Sequence, residues 1–127
     1  MFDAVSIPFG AKMLFNTLKL KPGVSFDDVE LAVGEMCNVV KKSYGGDQGG
    51  FIAGQVFKFS GFISDEGSLT ASRATDDHIA IVTYWRSFEE HEKSHADELF
   101  KSSFSDLARM CSDIKELGYD ILWQGEA

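Results

Sequence analysis

The order of its predicted strands and helices constrains this chain more than any other feature of the sequence. Alternating or β-branched apolar stretches predict four strands, at residues 11–20, 51–60, 78–85 and 119–123. Helical spacing of apolar residues predicts two helices, at residues 26–43 and 88–117. The resulting β-α-β-β-α-β order is that of a ferredoxin-like α+β fold, an antiparallel sheet with both helices on one face.

Local signals support these boundaries. Ser25 with Asp28, and Ser87 with Glu90, stand at the spacing of a capping box before each helix. Gly118 follows the second predicted helix, where glycine commonly ends one. The polar stretch 61–77 predicts a long connection between the second and third strands.

A sheet covered by helices on one face leaves its other face to be buried. The chain contains 11 phenylalanines, so this face is expected to be apolar. We expect a second copy of the sheet to cover it, which gives a homodimer, or a higher homo-oligomer, of the dimeric α+β barrel type. The length of 127 residues fits a single domain over residues 1–127.

Composition argues against several classes of function. Twenty acidic and 12 basic residues give a net charge of −8, which disfavours binding to nucleic acid or to a membrane surface. No apolar run reaches the length of a membrane span, and the N-terminus does not have the pattern of a signal peptide. We therefore predict a cytoplasmic protein in which Cys37 and Cys111 are thiols, with Cys111 in the core.

His91 and His95 are the strongest chemical signal. Four residues apart on a predicted helix, they leave the same face in register with Phe88 and Leu99, which are predicted to face inward. Neutral imidazoles at this spacing can share one divalent metal ion. Without further ligands, two partly buried histidines hydrogen-bonded to neighbours are the simpler interpretation. The string His-Glu-x-x-His also matches the zinc-protease signature, but the chain has neither the length nor the later histidine of those enzymes.

A third ligand would be a carboxylate, since two histidines and one carboxylate leave positions open on iron. Asp120 is the predicted ligand because it interrupts an apolar strand, where an uncompensated carboxylate is costly. Glu116 and Asp113 are its rivals, assigned to the solvated face of the helix. Cys37, on the first helix, is either a buried small hydrophobe or a nucleophile close to the histidines.

At these positions the chain resembles the sulfur oxygenase reductases. That family carries a motif His-x3-His followed some two dozen residues later by Glu, and the run from Tyr84 to His91 is similar to the aromatic stretch before its first histidine. Upstream, the segments VGEMC at 33–37 and GGF at 49–51 resemble the family's helix with its persulfide-carrying cysteine and the start of its next strand.

The resemblance implies a mononuclear non-haem iron held by His91, His95 and Asp120, with Cys37 as the catalytic residue that holds a sulfur chain. It also implies a small sulfur-containing substrate and oxygen, since the family converts elemental sulfur to sulfite, thiosulfate and sulfide. Two departures stand out: aspartate replaces glutamate, and this chain has one repeat where the family fuses two.

Two other functions fit the same predicted fold. One is a small monooxygenase of the antibiotic-biosynthesis type, or a haem-binding relative, with His91 as proton donor or haem ligand. The other is a non-enzymatic sulfur carrier or stress protein. Bound metal, a haem absorption band or persulfide on Cys37 without oxygen consumption would distinguish the three.

Overall fold

A computed structural model describes residues 2–61 and 78–127 of the chain. Its elements are β1 (Lys12–Leu20), α1 (Phe26–Tyr44), β2 (Phe51–Lys58), β3 (His78–Trp85), α2 (Phe88–Ser94), α3 (Glu98–Ala108) and β4 (Cys111–Asp120), with a 3-10 turn at Gly46–Gln48. All strand pairs are antiparallel, in the order β2-β3-β1-β4. The predicted ferredoxin-like α+β fold is thereby confirmed. No helix within the described ranges is long and apolar enough to cross a membrane.

The first half of the chain follows the sequence prediction closely. Ser25 and Asp28 form the predicted capping box, which starts α1 at Phe26. The apolar stripe of α1, which includes Val29 and Met36, is buried against strand residues such as Leu18. The predicted connection at 61–77 lies outside the described residues from position 62 onward.

The second half departs from the prediction of one helix over 88–117 and a strand over 119–123. The helix instead divides into α2 and α3, because Asp97 accepts a hydrogen bond from the Phe100 amide and caps a new helix. Residues from Cys111 onward pair with β1 and form β4. Gly118 therefore lies within a strand, and the helix ends ten residues before it, at Ala108.

A bulge explains why β4 resembles a helix in sequence. Cys111 pairs with Leu20 and Asp113 with Lys19, so one extra residue enters β4 at this point. As a result Cys111 and Ile114, three residues apart, both contact the main core. Three-residue spacing of apolar side chains is typical of helices, and here a bulged strand produces it.

The strand register divides the sheet into two different faces. Leu14, Leu18 and Ile81 are buried on the face that packs against the helices. On the opposite face Phe57, Leu117 and Tyr119 remain 46%, 47% and 45% exposed. Within the described residues, no helix covers this apolar face, as the sequence predicts.

Candidate metal centre

The two histidines lie at the break between α2 and α3. His91 is in the last turns of α2 and His95 is the residue that follows Ser94, the final residue of that helix. The His91 side chain is 6% exposed and the His95 side chain 35% exposed. Their Nε2 atoms are 3.1 Å apart, so both rings present a nitrogen to the same point.

Aromatic side chains hold both imidazole rings. The Trp85 indole meets the His91 ring edge to face, with centroids 5.2 Å apart. The Phe100 ring stacks on His95 at 5.1 Å and an interplanar angle of 5°. Trp85 is itself 1% exposed, so the inner wall of the site belongs to the core.

Glu116 is the carboxylate that completes the group. Its Oε2 lies 3.3 Å from His91 Nε2 and its Oε1 lies 3.9 Å from His95 Nε2. One ligand atom from each of the three side chains lies within 4.8 Å of the others. Glu116 projects from the helix-covered face of β4, in register with Asn16 of β1, which places it beneath α2.

The sequence predicts Glu116 on the solvated face of a helix, whereas the structure places it on strand β4. On a strand, alternate residues face the same side, so Ile114 in the core also places Glu116 on that side. Glu116 follows His95 by 21 residues, and it is the residue type that the sulfur oxygenase reductase motif has as its third ligand. The strand assignment was the missing step.

The structure does not bring Asp120 to the histidines. Asp120 ends β4, its side chain is 66% exposed, and its carboxylate forms an ion pair with Lys12 Nζ at 2.6 Å. Lys12 is its direct partner across the β1–β4 pair. The charge of Asp120 in an apolar strand is therefore compensated by Lys12 and not by a metal ion, which the sequence predicts as its partner.

Cys37 likewise lies outside the group of ligand atoms. It is half-buried on α1 and packs against the main hydrophobic core. Burial raises the pKa of the Cys37 thiol, so the neutral thiol is favoured over the thiolate. Cys111 is buried, as predicted, although on a strand, and both cysteines are free thiols.

The charge of Glu116 is stabilised by its neighbours. Partial burial raises the pKa of this carboxyl group, but the hydrogen bond from His91 and the charges of both histidines outweigh it, so the pKa is lowered overall. Glu116 is therefore a carboxylate at neutral pH, which is the form that binds a metal ion.

The start of α2 is fixed by a small polar cluster. Ser87 caps the helix as predicted by accepting from the Glu90 amide at 3.2 Å. The Glu90 carboxylate bonds to Arg86 Nε at 3.0 Å and to the Ser87 hydroxyl at 3.0 Å. The bond from Arg86 lowers the pKa of Glu90 to about 2. A Cβ added to Gly50 would lie 2.6 Å from the Glu90 carboxylate, and the φ of Gly50 is positive, at 83°. Both observations favour glycine at this position.

Phe88 and Leu99, predicted to face inward, are 38% and 67% exposed. The Phe88 ring lies over β4, 2.9 Å from the position that a Cβ of Gly118 would take. Gly118 is thus required for close packing between α2 and the strand that carries Glu116, rather than for ending a helix.

These distances fit a mononuclear metal site. Ligand nitrogens and oxygens about 2.0–2.2 Å from an ion lie roughly 3.0–3.4 Å from each other in octahedral or tetrahedral geometry. The 3.1 Å between the two Nε2 atoms and the 3.3 Å from His91 Nε2 to Glu116 Oε2 fall in this range, and the other carboxylate oxygen, Oε1, lies 3.9 Å from His95 Nε2. Because the Glu116 side chain is 32% exposed, it has room to rotate and present one oxygen to both imidazole nitrogens.

An open cleft lies apart from this group of ligands. The chain ends form an open cleft of about 600 Å³ lined by residues such as Ile7, Met13, Tyr119 and Trp123. The register places Met13 and Tyr119 on the face of the sheet away from the helices. Its lining includes the carboxylates of Asp120 and Glu126, which do not belong to the group of three ligand atoms.

Comparison with known proteins supports the fold and leaves the activity open. No family model matches the chain, and no curated protein matches it. Among solved structures, SnoaB from Streptomyces nogalater, described as a cofactor-independent oxygenase, is 10% identical with a TM-score of 0.63, over 91% of this chain and 96% of its own.

Two further structures give the same result. A putative antibiotic biosynthesis monooxygenase from Caulobacter crescentus is 14% identical with a TM-score of 0.64, over 90% of this chain and 92% of its own. A dimeric ferredoxin-like protein of unknown function from Thermobifida fusca is 12% identical with a TM-score of 0.61, over 93% of this chain and 99% of its own. None of them is a sulfur oxygenase reductase.

The chain therefore has the ferredoxin-like α+β fold shared by proteins of the antibiotic-biosynthesis-monooxygenase type. At 10–14% identity the likeness establishes the fold alone. Because one fold hosts many activities, the function has to be argued from the site.

Proposed function

We propose that this protein is a metal-dependent oxidoreductase of oxygenase type, with one non-haem iron held by His91, His95 and Glu116. The observation that carries the proposal is the convergence of three ligand atoms within 4.8 Å at the break between α2 and α3. Two histidines and one carboxylate are the ligand set of non-haem Fe(II) oxygenases.

When bound by His91, His95 and Glu116, iron would supply the redox chemistry for a reaction between a substrate and oxygen. The chain itself supplies the rest of the site. The buried Trp85 and the stacked Phe100 fix both imidazole rings and exclude water from their inner side. The exposed fractions of His95 and Glu116, 35% and 32%, leave the outer side open to an entering molecule.

Metal analysis of the purified protein tests this proposal. Protein loaded anaerobically with Fe(II) and then desalted is expected to keep a stoichiometric amount of iron, whereas His91→Ala keeps none. Bound metal is measured by plasma mass spectrometry, and circular dichroism checks that the variant folds. Absence of bound transition metal from both samples would overturn the proposal.

A sulfur-chain substrate, as the sequence resemblance implies, is the finer part of the hypothesis. It requires Cys37 to become a thiolate and to hold the chain as a persulfide. The half-buried position and raised pKa of this thiol do not favour that role. Oxygen consumption with polysulfide, lost in Cys37→Ala while iron is retained, would support it; uptake that Cys37→Ala leaves unchanged would exclude Cys37 from the reaction.

A second candidate is a monooxygenase that needs no metal. Its specific support is the similarity to SnoaB, which is described as cofactor-independent. The hydrogen bond between His91 and Glu116 would then serve to move a proton, with the Glu116 carboxylate as acceptor. Turnover of an aromatic substrate that persists after removal of all metal by a chelator would favour this candidate over the first.

We also infer a homodimer formed through the apolar face of the sheet. Phe57 on one edge strand and Leu117 and Tyr119 on the other expose apolar side chains on the face away from the helices, which a second copy can bury. Sedimentation velocity is expected to give a dimer for the wild type and a monomer for Leu117→Lys. Leu31→Lys is the matched control, since Leu31 is 73% exposed on α1 and should leave the dimer intact. A wild-type monomer would contradict the inference.

A further inference from the structure

The second ring nitrogen of each histidine points away from the proposed ion. His91 Nδ1 is buried, and it makes no hydrogen bond with any described residue. An unpaired buried ring nitrogen is costly and needs an explanation. A carboxylate oxygen, Oε1 of Glu92, lies 3.3 Å from this nitrogen.

Glu92 stands beside both histidines. Its other oxygen, Oε2, lies 3.9 Å from His95 Nδ1. The imidazole pair is thus placed between two carboxylates, with Glu116 at the two Nε2 atoms and Glu92 at the two Nδ1 atoms. Glu92 is 69% exposed, so its side chain can rotate the short distance that aligns a hydrogen bond without disturbing the core.

We propose that Glu92 is a positioning residue that orients both imidazoles of the metal site. This inference rests on the proposed function, because it assigns Nε2 of each histidine to the ion. A carboxylate that accepts from Nδ1–H keeps the Nε2 lone pair free and fixes the ring, and it raises the basicity of the ligand. A single glutamate then acts on both ligands at once.

The same placement separates this chain from the zinc proteases. Their His-Glu-x-x-His motif uses the glutamate as a general base for the metal-bound water. Here the contacts of Glu92 are with the two Nδ1 atoms, on the far side of the rings from Glu116. The motif in this chain therefore supplies two ligands and the group that orients them.

Two variants and a control test the role of Glu92. Glu92→Leu removes the acceptor, and Glu92→Gln keeps a neutral acceptor oxygen in its place. Glu89→Gln is the control, since Glu89 lies on the same helix and pairs with Lys93 at 3.8 Å. We expect Co²⁺ affinity, measured by competition with a chromophoric chelator, to fall roughly 10–100-fold in Glu92→Leu. A smaller loss is expected in Glu92→Gln, and no change in Glu89→Gln.

A second measurement does not depend on bound metal. In ion-free protein at one mildly alkaline pH, the ¹⁵N shifts of the ring nitrogens report which one carries the proton. Glu92 at Nδ1 and Glu116 at Nε2 compete for the one proton of neutral His91, so Glu92→Leu is expected to raise the population with the proton on Nε2, whereas Glu89→Gln leaves it unchanged. Unchanged tautomer populations in Glu92→Leu would overturn the role of Glu92, whatever the metal affinity. If the wild type binds no ion but the proton moves, the proposed function fails and the positioning role stands.

Discussion

The two halves of this molecule have nearly the same topology and differ in what interrupts them. In the first half, β1 is joined to β2 by α1, one uninterrupted helix of 19 residues. In the second, β3 is joined to β4 by two short helices of 7 and 11 residues with a turn between them. The proposed metal ligands lie at that turn and on the strand that follows. The comparison indicates that the first half is a regular scaffold. In the second half the helix is interrupted, and the interruption lies where His91, His95 and Glu116 come together.

The largest expected effect is the loss of metal binding when Glu116 is changed. Glu116→Ala removes a direct ligand, so Co²⁺ affinity should fall by more than the roughly 10–100-fold that is typical of residues outside the first coordination shell. Asp120→Ala is the matched control, because Asp120 is an acidic residue four positions along the same strand and pairs with Lys12. Titration of both variants with Co²⁺ in chelator competition measures the difference. Loss of affinity in Asp120→Ala but not in Glu116→Ala would mean that the site is assigned to the wrong carboxylate, and equal loss would mean that neither effect is specific to a ligand.

The next prediction separates the scaffold from the site. Leu18 is 2% exposed in the core beneath α1, and Leu18→Ala should lower the free energy of unfolding by about 2–5 kcal/mol. Urea denaturation measures this change. Leu31→Ala, on the exposed side of α1, is expected to change stability by less than about 0.5 kcal/mol. Co²⁺ affinity of folded Leu18→Ala should match the wild type, and a large decrease would show that the halves are not independent.

A smaller effect distinguishes the two helix caps. Ser25 caps α1 and Ser87 caps α2. Replacing either with Ala should destabilise the protein by about 1 kcal/mol. Only Ser87→Ala should also lower Co²⁺ affinity, by a few-fold, because α2 carries His91. The same affinity loss in Ser25→Ala would contradict the division of roles between the halves.

The same contrast shows what the sequence could predict. The capping box at Ser25 and the regular apolar stripe of α1 are local signals, and they placed α1 to within one residue of its observed end. In β4 the bulge at Leu20 and Cys111 imitates helical spacing, so local signals indicated a helix where pairing with β1 creates a strand. The histidine pair was visible because both residues belong to one turn. Glu116 was not, because its position depends on a strand register that only the folded sheet defines.

Cys37 is expected to show the smallest effect on the metal site. It lies in the first half, whereas all three proposed ligands lie in the second, and its thiol is outside their group. Cys37→Ala should therefore leave Co²⁺ affinity unchanged within about 2-fold, which is less than the effect of any residue that hydrogen-bonds to a metal ligand.

Because burial raises its pKa, the Cys37 thiol should also react with iodoacetamide more slowly than a free thiol at pH 7, and the rate should rise as the pH passes above the ordinary thiol value of about 8.5. Mass spectrometry of Cys111→Ala follows Cys37 alone, since Cys111 is the second free thiol. If Cys37 instead reacts faster than a free thiol at pH 7, its thiolate is available to hold a sulfur chain. That result would support the sulfur-chain substrate that the resemblance to sulfur oxygenase reductases implies.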